Sequence, residues 1–314
     1  MKRRILITAG GTATAWHMSN IVREYFGNCI ELHVCDINPR ELVAASINSD
    51  KFHRVPYITD KNYKPFMLHL LETEKIEIII PLIDWDLFEF CSDNDELKKL
   101  KVISTGPERR TAQYLANKEM MFQFLTEYDI PTPVLVHNAD VCENSKYIIK
   151  PKIGCGSKGM GVLSGAEIKN NPIDEEGYLI QELCRGEEIT AEVFHSNDRL
   201  EVFQRVRIKT KEGVCTKAKY ADVPEIREYI EKLVSFIPMP LAFCVQFMKC
   251  NGIWSVIDCN LRIGAGTALA TTYGFQLVRA FFANLIGETV EDAWFKADSN
   301  IKAVVRVYRE LAMR

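Results

Sequence analysis

Between Tyr147 and Leu163 the chain passes from a short apolar run through Lys150 and Pro151 into four glycines within eight residues, Gly154, Gly156, Gly159 and Gly161, and out into a second apolar run. Glycines at that density imply positive φ or a close approach of the backbone to something else. Consecutive peptide N–H groups in such a loop can point into one concavity, which is how a backbone cradles phosphate oxygens, and Lys150 and Lys158 would add positive charge. A hairpin that only reverses the chain uses the same glycines, so both readings stand at this point. The loop is not a Walker P-loop, because no Gly-Lys-Ser/Thr follows, and not a dinucleotide fingerprint, because the next segment reads as strand rather than helix.

The loop therefore needs partners from the rest of the chain, and there is room for them. At 314 residues the chain exceeds one ordinary core and suits two or three subdomains. A formal charge of −3 and a pI near 6.1 argue against a nucleic-acid or anionic-membrane surface. No apolar run approaches the roughly 20 residues needed to span a bilayer. The basic start, Lys2-Arg3-Arg4, precedes an apolar stretch of only about five residues, short of the ~7–15 of a signal sequence, so a buried first strand in a cytoplasmic protein is expected. The ten cysteines are scattered with no C-x-x-C and no Cys/His ligand spacing. Neither a disulfide framework nor structural zinc is expected, and the cysteines read as small buried side chains.

From residue 1 to about 109 strands alternate with helices: Arg4–Thr8, a helix near Trp16–Phe26, Cys29–Cys35, a helix at Phe66–Thr73, Glu77–Pro81 and Lys101–Ser104. That alternation predicts a parallel sheet with right-handed crossovers. It places Gly10, Gly11, Asp36 and Asp84 at the carboxyl rim, where such sheets bind ligands. A structural turn is the default for Gly10 and Gly11, with contact to a second substrate as the functional option. Glu108–Tyr128 reads as one helix containing Lys118, ended by Pro131 and Pro133. Ser145–Pro151, Gly161–Ser164 and Gly177–Leu183 make a small antiparallel unit around the glycine loop. Glu188–His195 and Leu200–Lys209 form a hairpin turned at Ser196-Asn197-Asp198. A helix at Ile226–Phe236 buries Ile226, Ile230, Leu233 and Val234. A second hairpin, Phe243–Met248 and Ile253–Asp258, is followed by a helix at Val278–Leu285 and a last strand at Ala303–Tyr308.

The second hairpin supplies the chemistry that the loop lacks. Side chains alternate along a strand, so Asp258 and Asn260 share a face, and Gln246 on the partner strand reaches the same face. Three oxygen ligands facing one way suit Mg2+, which takes few protein ligands and completes its shell with water and phosphate oxygens. Arg262 lies two residues further on. Taken singly, each of these residues reads equally as a solvated outer-face side chain; their concurrence with a glycine loop and two lysines is what favours a site.

The order of these motifs resembles the ATP-grasp superfamily, most closely the synthetase units of the carbamoyl-phosphate synthase large subunit and their stand-alone relatives. The resemblance covers essentially the whole chain: Lys118 before "YDIPTP", "IIKPKIGCGSKGMGV", "LIQELCRGEEITAEV" and "CVQFMKCNGIWSVIDCNLRIGAGT". It implies an α/β and α+β fold, with a parallel-sheet domain over 1–109, a small β-rich lid over 110–184 and a metal- and substrate-binding part over 185–314. It further implies that Lys118 and Lys150 contact ATP phosphates, and that Gly154, Gly156, Ser157 and Gly159 close over them. Gln181, Glu182 and Leu183 would meet adenine, and Glu188 the ribose. Gln246, Asp258 and Asn260 would hold Mg2+, with Mn2+ as an alternative, and Arg262 together with Lys150 would serve the transferring phosphoryl group. Arg205, Arg207 and Lys217 are secondary candidates for phosphate or substrate contact. The chain departs from the family pattern in carrying Asn260-Leu261-Arg262 for N-P-R, Asp258 for glutamate, and Leu241-Ala242 where relatives often have glycine.

The expected function is an ATP- and Mg-dependent carboxylate–amine ligase acting on small molecules through an acyl-phosphate. With one ATP-grasp unit, carbamoyl-phosphate synthesis itself is not expected. A phosphotransferase, or a non-catalytic ATP-binding protein of the same fold, are the alternatives. The implied partners are a carboxylate and an amine, with no nucleic acid or membrane and with a homodimer left open.

Overall fold

The computed structural model describes residues 2–154, 159–196 and 198–313. In chain order the first third contains β1 (Arg3–Ile7), α1 (Ala13–Ile21), β2 (Ile30–Asp36), β3 (Lys51–Arg54), α2 (Tyr63–Thr73), β4 (Ile78–Ile80), α3 (Asp84–Glu89), α4 (Asp95–Leu100) and β5 (Ile103–Ser104). Its five strands pair in the order β3-β2-β1-β4-β5, all parallel, as the strand–helix alternation predicts. The central strands β2, β1 and β4 are largely buried, which is why they read as nearly continuous apolar runs, whereas the edge strand β3, Lys51-Phe52-His53-Arg54, does not and was not expected from the sequence.

The middle of the chain is α5 (Arg109–Leu115), α6 (Lys118–Glu127), β6 (Leu135–Val136), β7 (Lys146–Pro151), β8 (Gly161–Ser164), α7 (Gly165–Asn170) and β9 (Tyr178–Glu182). Here the single helix expected over Glu108–Tyr128 is corrected to two. Asn117 caps α6 by accepting from the amides of Glu119 and Met120 at 3.0 and 3.2 Å, so its side chain starts a new helix. The strands form a sheet in the order β6-β9-β7-β8. It has its own small core of Val141, Tyr147, Ile149, Ile168 and Ile180.

The last part comprises β10 (Glu188–Ser196), β11 (Arg199–Lys211), β12 (Val214–Ala221), α8 (Pro224–Phe236), β13 (Ala242–Cys250), β14 (Ile253–Asn260), α9 (Thr267–Thr272), α10 (Leu277–Ile286) and β15 (Val304–Val305). Its strands make an antiparallel sheet in the order β14-β13-β10-β11-β12-β15. Ile226, Ile230 and Leu233 of α8 are buried, which at ~1.5–3 kcal/mol per fully buried side chain anchors the helix to the sheet. The strand expected over Ala303–Tyr308 is shorter, because β15 pairs only with Lys217 and Ala218 at the sheet edge, and Val307 and Tyr308 lie exposed beyond it.

One core joins the two ends of the chain. Ile5, Ile7, Val34 and Ile80 of the parallel sheet pack with Phe194, Phe203, Phe275 and Phe282 of the last part. The first and last thirds are thus one body, while the four-stranded sheet packs on a core of its own. No helix among the described residues is long and apolar enough to cross a membrane.

Candidate functional site

Strand alternation builds the site. On β7, Ile148 and Lys150 face one way; on β10, Glu188 and Thr190; on β11, Arg205 and Arg207; on β13, Cys244, Gln246 and Met248; on β14, Asp258 and Asn260. All of them line one cavity of about 610 Å³ between the four-stranded sheet and the six-stranded sheet, together with Lys118, Gly154, Gln181 and Arg262.

The metal candidates meet as the sequence predicts. Gln246 pairs directly with Asp258 across β13 and β14, and Cys244 pairs with Asn260. Asn260 donates from its amide to Asp258 Oδ2 at 3.0 Å, which leaves its own Oδ1 as an acceptor beside the carboxylate. The register slips between Gln246 and Phe247, so that Ile257 is the extra residue of a β-bulge. Lys150 Nζ donates to the Ile257 carbonyl at 3.1 Å and lies 4.6 Å from the centre of the Phe122 ring. Burial lowers the Lys150 pKa to about 7, opposed by the Asp258 charge and assisted by Lys118.

Lys118 opens α6, and its backbone amide bonds the Lys152 carbonyl at 2.8 Å, which ties the helix start to the end of β7. Its ammonium donates to the Gly154 carbonyl at 2.9 Å and stands 3.7 Å from Asp258. Arg262 Nε pairs with Asp84 at 3.0 Å, so a rim residue of the parallel sheet orients the arginine that follows the metal strand. Glu188 pairs with Arg207 at 2.8 Å; burial pushes its carboxyl above the usual range, and Arg207 opposes that shift.

Not every candidate reaches the cavity. The Glu182 side chain takes the opposite face from Gln181, accepting from the Val134 amide at 3.2 Å and from Asn251 at 3.3 Å. Glu182, Leu183, Gly159 and Lys217 are not among the residues lining the cavity. Gly159 has a φ of +74°, in the left-handed region that the glycine reading requires. Gly156, Ser157 and Lys158 lie outside the described residues, as does Asn197 of the expected turn. Gly10 and Gly11 are engaged in the fold: the Gly10 amide bonds the Cys35 carbonyl at 2.9 Å and the Gly11 amide bonds Asp36 at 2.7 Å. Asp36 also accepts from Asn38, which commits its oxygens to its own turn.

Two features escaped the sequence reading. The first is a buried pair, Arg205 with Glu192 at 2.8 Å, completed by a hydrogen bond from Thr267 Oγ1 to Glu192 at 2.8 Å. An acid flanked by Ala191, Val193 and Phe194 in a buried strand is the signal that could have found it. The second is Cys184 bonded to Cys250, a single bridge where the sequence reading takes the cysteines as small buried side chains without a disulfide framework; their Cα atoms are 4.6 Å apart across 66 residues of sequence. Only the meeting of the β9 exit with the end of β13 brings the two together.

The site fits a nucleotide and a hard cation on its own atoms. Gln181 Oε1, Thr190 Oγ1 and two guanidinium nitrogens of Arg205 are buried without a hydrogen-bond partner among the described residues, and all three side chains line the cavity. Orphaned polar atoms of this kind mark a polar ligand. The donors at the metal position are all oxygens, one carboxylate and two amides, as Mg2+ or Mn2+ prefers.

Comparison with known proteins agrees with this fold. The ATP-grasp domain model matches residues 115–266, and the model for the PylC-like N-terminal domain matches residues 5–105. No curated protein sequence matches the chain. Similar solved structures include L-amino acid ligase from Bacillus licheniformis, at 14% identity and TM-score 0.73, covering 94% of this chain and 78% of that one. N5-carboxyaminoimidazole synthetase from Staphylococcus aureus, solved with ADP, has 14% identity and TM-score 0.71 over 93% and 80% of the two chains. The biotin carboxylase domain of Hydrogenobacter thermophilus 2-oxoglutarate carboxylase, solved with MgADP and bicarbonate, has 13% identity and TM-score 0.72 over 96% and 73%. The chain thus carries an ATP-grasp domain that follows a PylC-like N-terminal domain.

Proposed function

We propose that this protein is an ATP- and Mg2+-dependent ligase that joins a small-molecule carboxylate to an amine through an acyl-phosphate. The observation that carries the reading is the convergence of Lys118 and Lys150 with Gln246, Asp258, Asn260 and Arg262 on one cavity. Residues 1–109 would act as the supporting domain, 110–184 as the lid, and 185–314 as the part that holds metal and substrate.

Gln246, Asp258 and Asn260 would hold the divalent cation, which when bound neutralises charge on phosphate oxygens. Lys118 and Lys150 would bind the phosphates, Gln181 the adenine, and Glu188 the ribose, while Glu182 and Leu183, which do not line the cavity, would serve the hinge only through their backbone. Arg262, held by Asp84, would neutralise the phosphoryl group while a substrate carboxylate oxygen bonds to the γ-phosphorus and the bond to ADP breaks. An amine nitrogen then bonds to the acyl carbon, phosphate leaves, and the nitrogen loses a proton. The protein contributes placement and charge rather than a nucleophile of its own.

The test is to screen pairs of carboxylates and amines with Mg-ATP and to read ADP release. ADP that appears only when both an acid and an amine are present supports the ligase. ADP with a stable phosphorylated acceptor would instead make the protein a phosphotransferase, and failure to bind Mg-ATP by calorimetry would sink both.

A further inference from the structure

We propose that His33, His53 and Glu74 form a binding site for one divalent transition-metal ion, of which Zn2+ is the best suited, separate from the nucleotide cavity. His33 lies in β2 and His53 in β3, and the parallel register sets His33 opposite Lys51 and Cys35 opposite His53. Alternation therefore puts both imidazoles on one face of the sheet. Their rings stack with centroids 5.2 Å apart. Glu74, the residue that ends α2, brings a carboxylate to the same place, and the three donor atoms lie within 4.8 Å of one another.

The bonding around His33 decides which nitrogen faces the ion. Its Nε2 lies 3.2 Å from Glu31 Oε1, and its Nδ1 lies 3.0 Å from His53 Nε2. With the Nε2 proton given to Glu31, the Nδ1 lone pair is directed at the space shared with His53, which is the carboxylate–imidazole arrangement that supports metal-binding histidines. Two nitrogens bound to tetrahedral zinc at about 2.0–2.1 Å are roughly 3.3 Å apart. The pair at 3.0 Å thus needs to open by only a few tenths of an ångström. His33 is fully buried, whereas His53 and Glu74 are half-buried, which leaves the cluster reachable from solvent. Lys51, paired with Glu74 at 2.6 Å, supplies the positive charge while the ion is absent. An imidazole pair with one carboxylate suits zinc, nickel or cobalt rather than magnesium. The ion would bind β2, β3 and the end of α2 to one another.

The test uses the full chain, stripped with EDTA and titrated with ZnCl2 against a chromophoric chelator. The expected result is one equivalent bound, a zinc-dependent rise in Tm, and a loss of affinity of at least about tenfold in each of His53→Ala and Glu74→Gln. Glu31→Gln, which leaves all three donors in place, should also weaken binding. Cobalt substitution should give a spectrum without thiolate charge transfer. No bound equivalent in the wild type would overturn the proposal. So would an equivalent that survives in His53→Ala and disappears in Cys184→Ser under reducing conditions, because the ion would then belong to the opened Cys184 and Cys250 thiols beside Glu182. Should His53→Ala fail to fold, the cobalt spectrum of the wild type still separates the two sites.

Discussion

Lys150 directs its ammonium at the carbonyl oxygen of Ile257, 3.1 Å away, across the gap between the two sheets that enclose the cavity. Ile257 is the bulged residue of β14, so the carbonyl that the lysine finds is one released from the strand ladder. An ammonium has three donors, and this bond uses one of them. A buried cation with donors to spare, and a pKa near 7, is poised for an anion.

ATP affinity should therefore depend on pH. The ammonium form binds phosphate, it is half-populated in the free protein near pH 7, and a bound polyphosphate raises its pKa. Binding should take up a proton, and affinity should fall as pH rises from 7 to 9, by at most about tenfold per unit. Calorimetry in buffers of different ionisation enthalpy measures both effects. Lys150→Met should weaken ATP binding by about 1.5–3 kcal/mol and abolish the slope; a slope that persists in the variant would assign it to another group.

Asp258→Asn should leave the fold intact and remove Mg-dependent turnover. Changes to the partners of metal ligands already cost roughly 10–100-fold, and loss of the one carboxylate of the set should cost at least about 100-fold. The variant also removes the charge 3.7 Å from Lys118, so metal-free nucleotide binding should be retained. ADP production at wild-type level with an unchanged Mg2+ requirement would refute the ligand assignment.

Gly266→Ala should unfold the protein at lower urea. A Cβ at this position would run into the Arg205 guanidinium and lie 3.0 Å from Glu192 Oε1. Displacing the arginine breaks a buried ion pair, which costs about 3–5 kcal/mol. Gly161→Ala, where an added Cβ meets nothing within 4 Å, is the matched control and should change stability by less than ~0.5 kcal/mol. Equal urea midpoints for the two variants would contradict the account.

His17 should make the protein acid-sensitive. It is hydrogen-bonded to Thr271 at 3.0 Å, and burial, with a smaller contribution from Arg306, lowers its pKa to about 4 from 6.5. The folded pKa lies below the unfolded one, so the unfolded chain binds the proton more readily. The stability present above pH 6.5 is lost as pH falls from 6.5 towards 4, by up to about 3 kcal/mol. Urea unfolding across that range should show the loss, and His17→Gln should flatten it; a wild-type curve that is flat between pH 6.5 and 4 would rule it out.

Four strands of the parallel sheet were legible because each is an apolar run among helical segments, a local pattern; β3, the edge strand Lys51-Phe52-His53-Arg54, has no such run and was not expected. The hairpin bearing Gln246, Asp258 and Asn260 was legible for the same reason: alternation by two is a local property, and the register preserves it. Lys118 was found by its place in a motif, but the break that puts it at a helix start depends on the Asn117 cap within a stretch that reads as continuously helical.

What only the tertiary structure decided is what meets across long sequence separations. Arg205 with Glu192, Arg262 with Asp84, Cys184 with Cys250, and His33 with His53 and Glu74 each join side chains on different elements, and no local period records such meetings. The glycine run itself marks the division. The sequence determined that its backbone must bend closely, and Gly154 and Gly159 take the positive φ that glycine tolerates. That Lys150 would be buried opposite Ile257, rather than solvated at the end of a hairpin, was decided when two sheets closed on one cavity, because burial belongs to the packing of both.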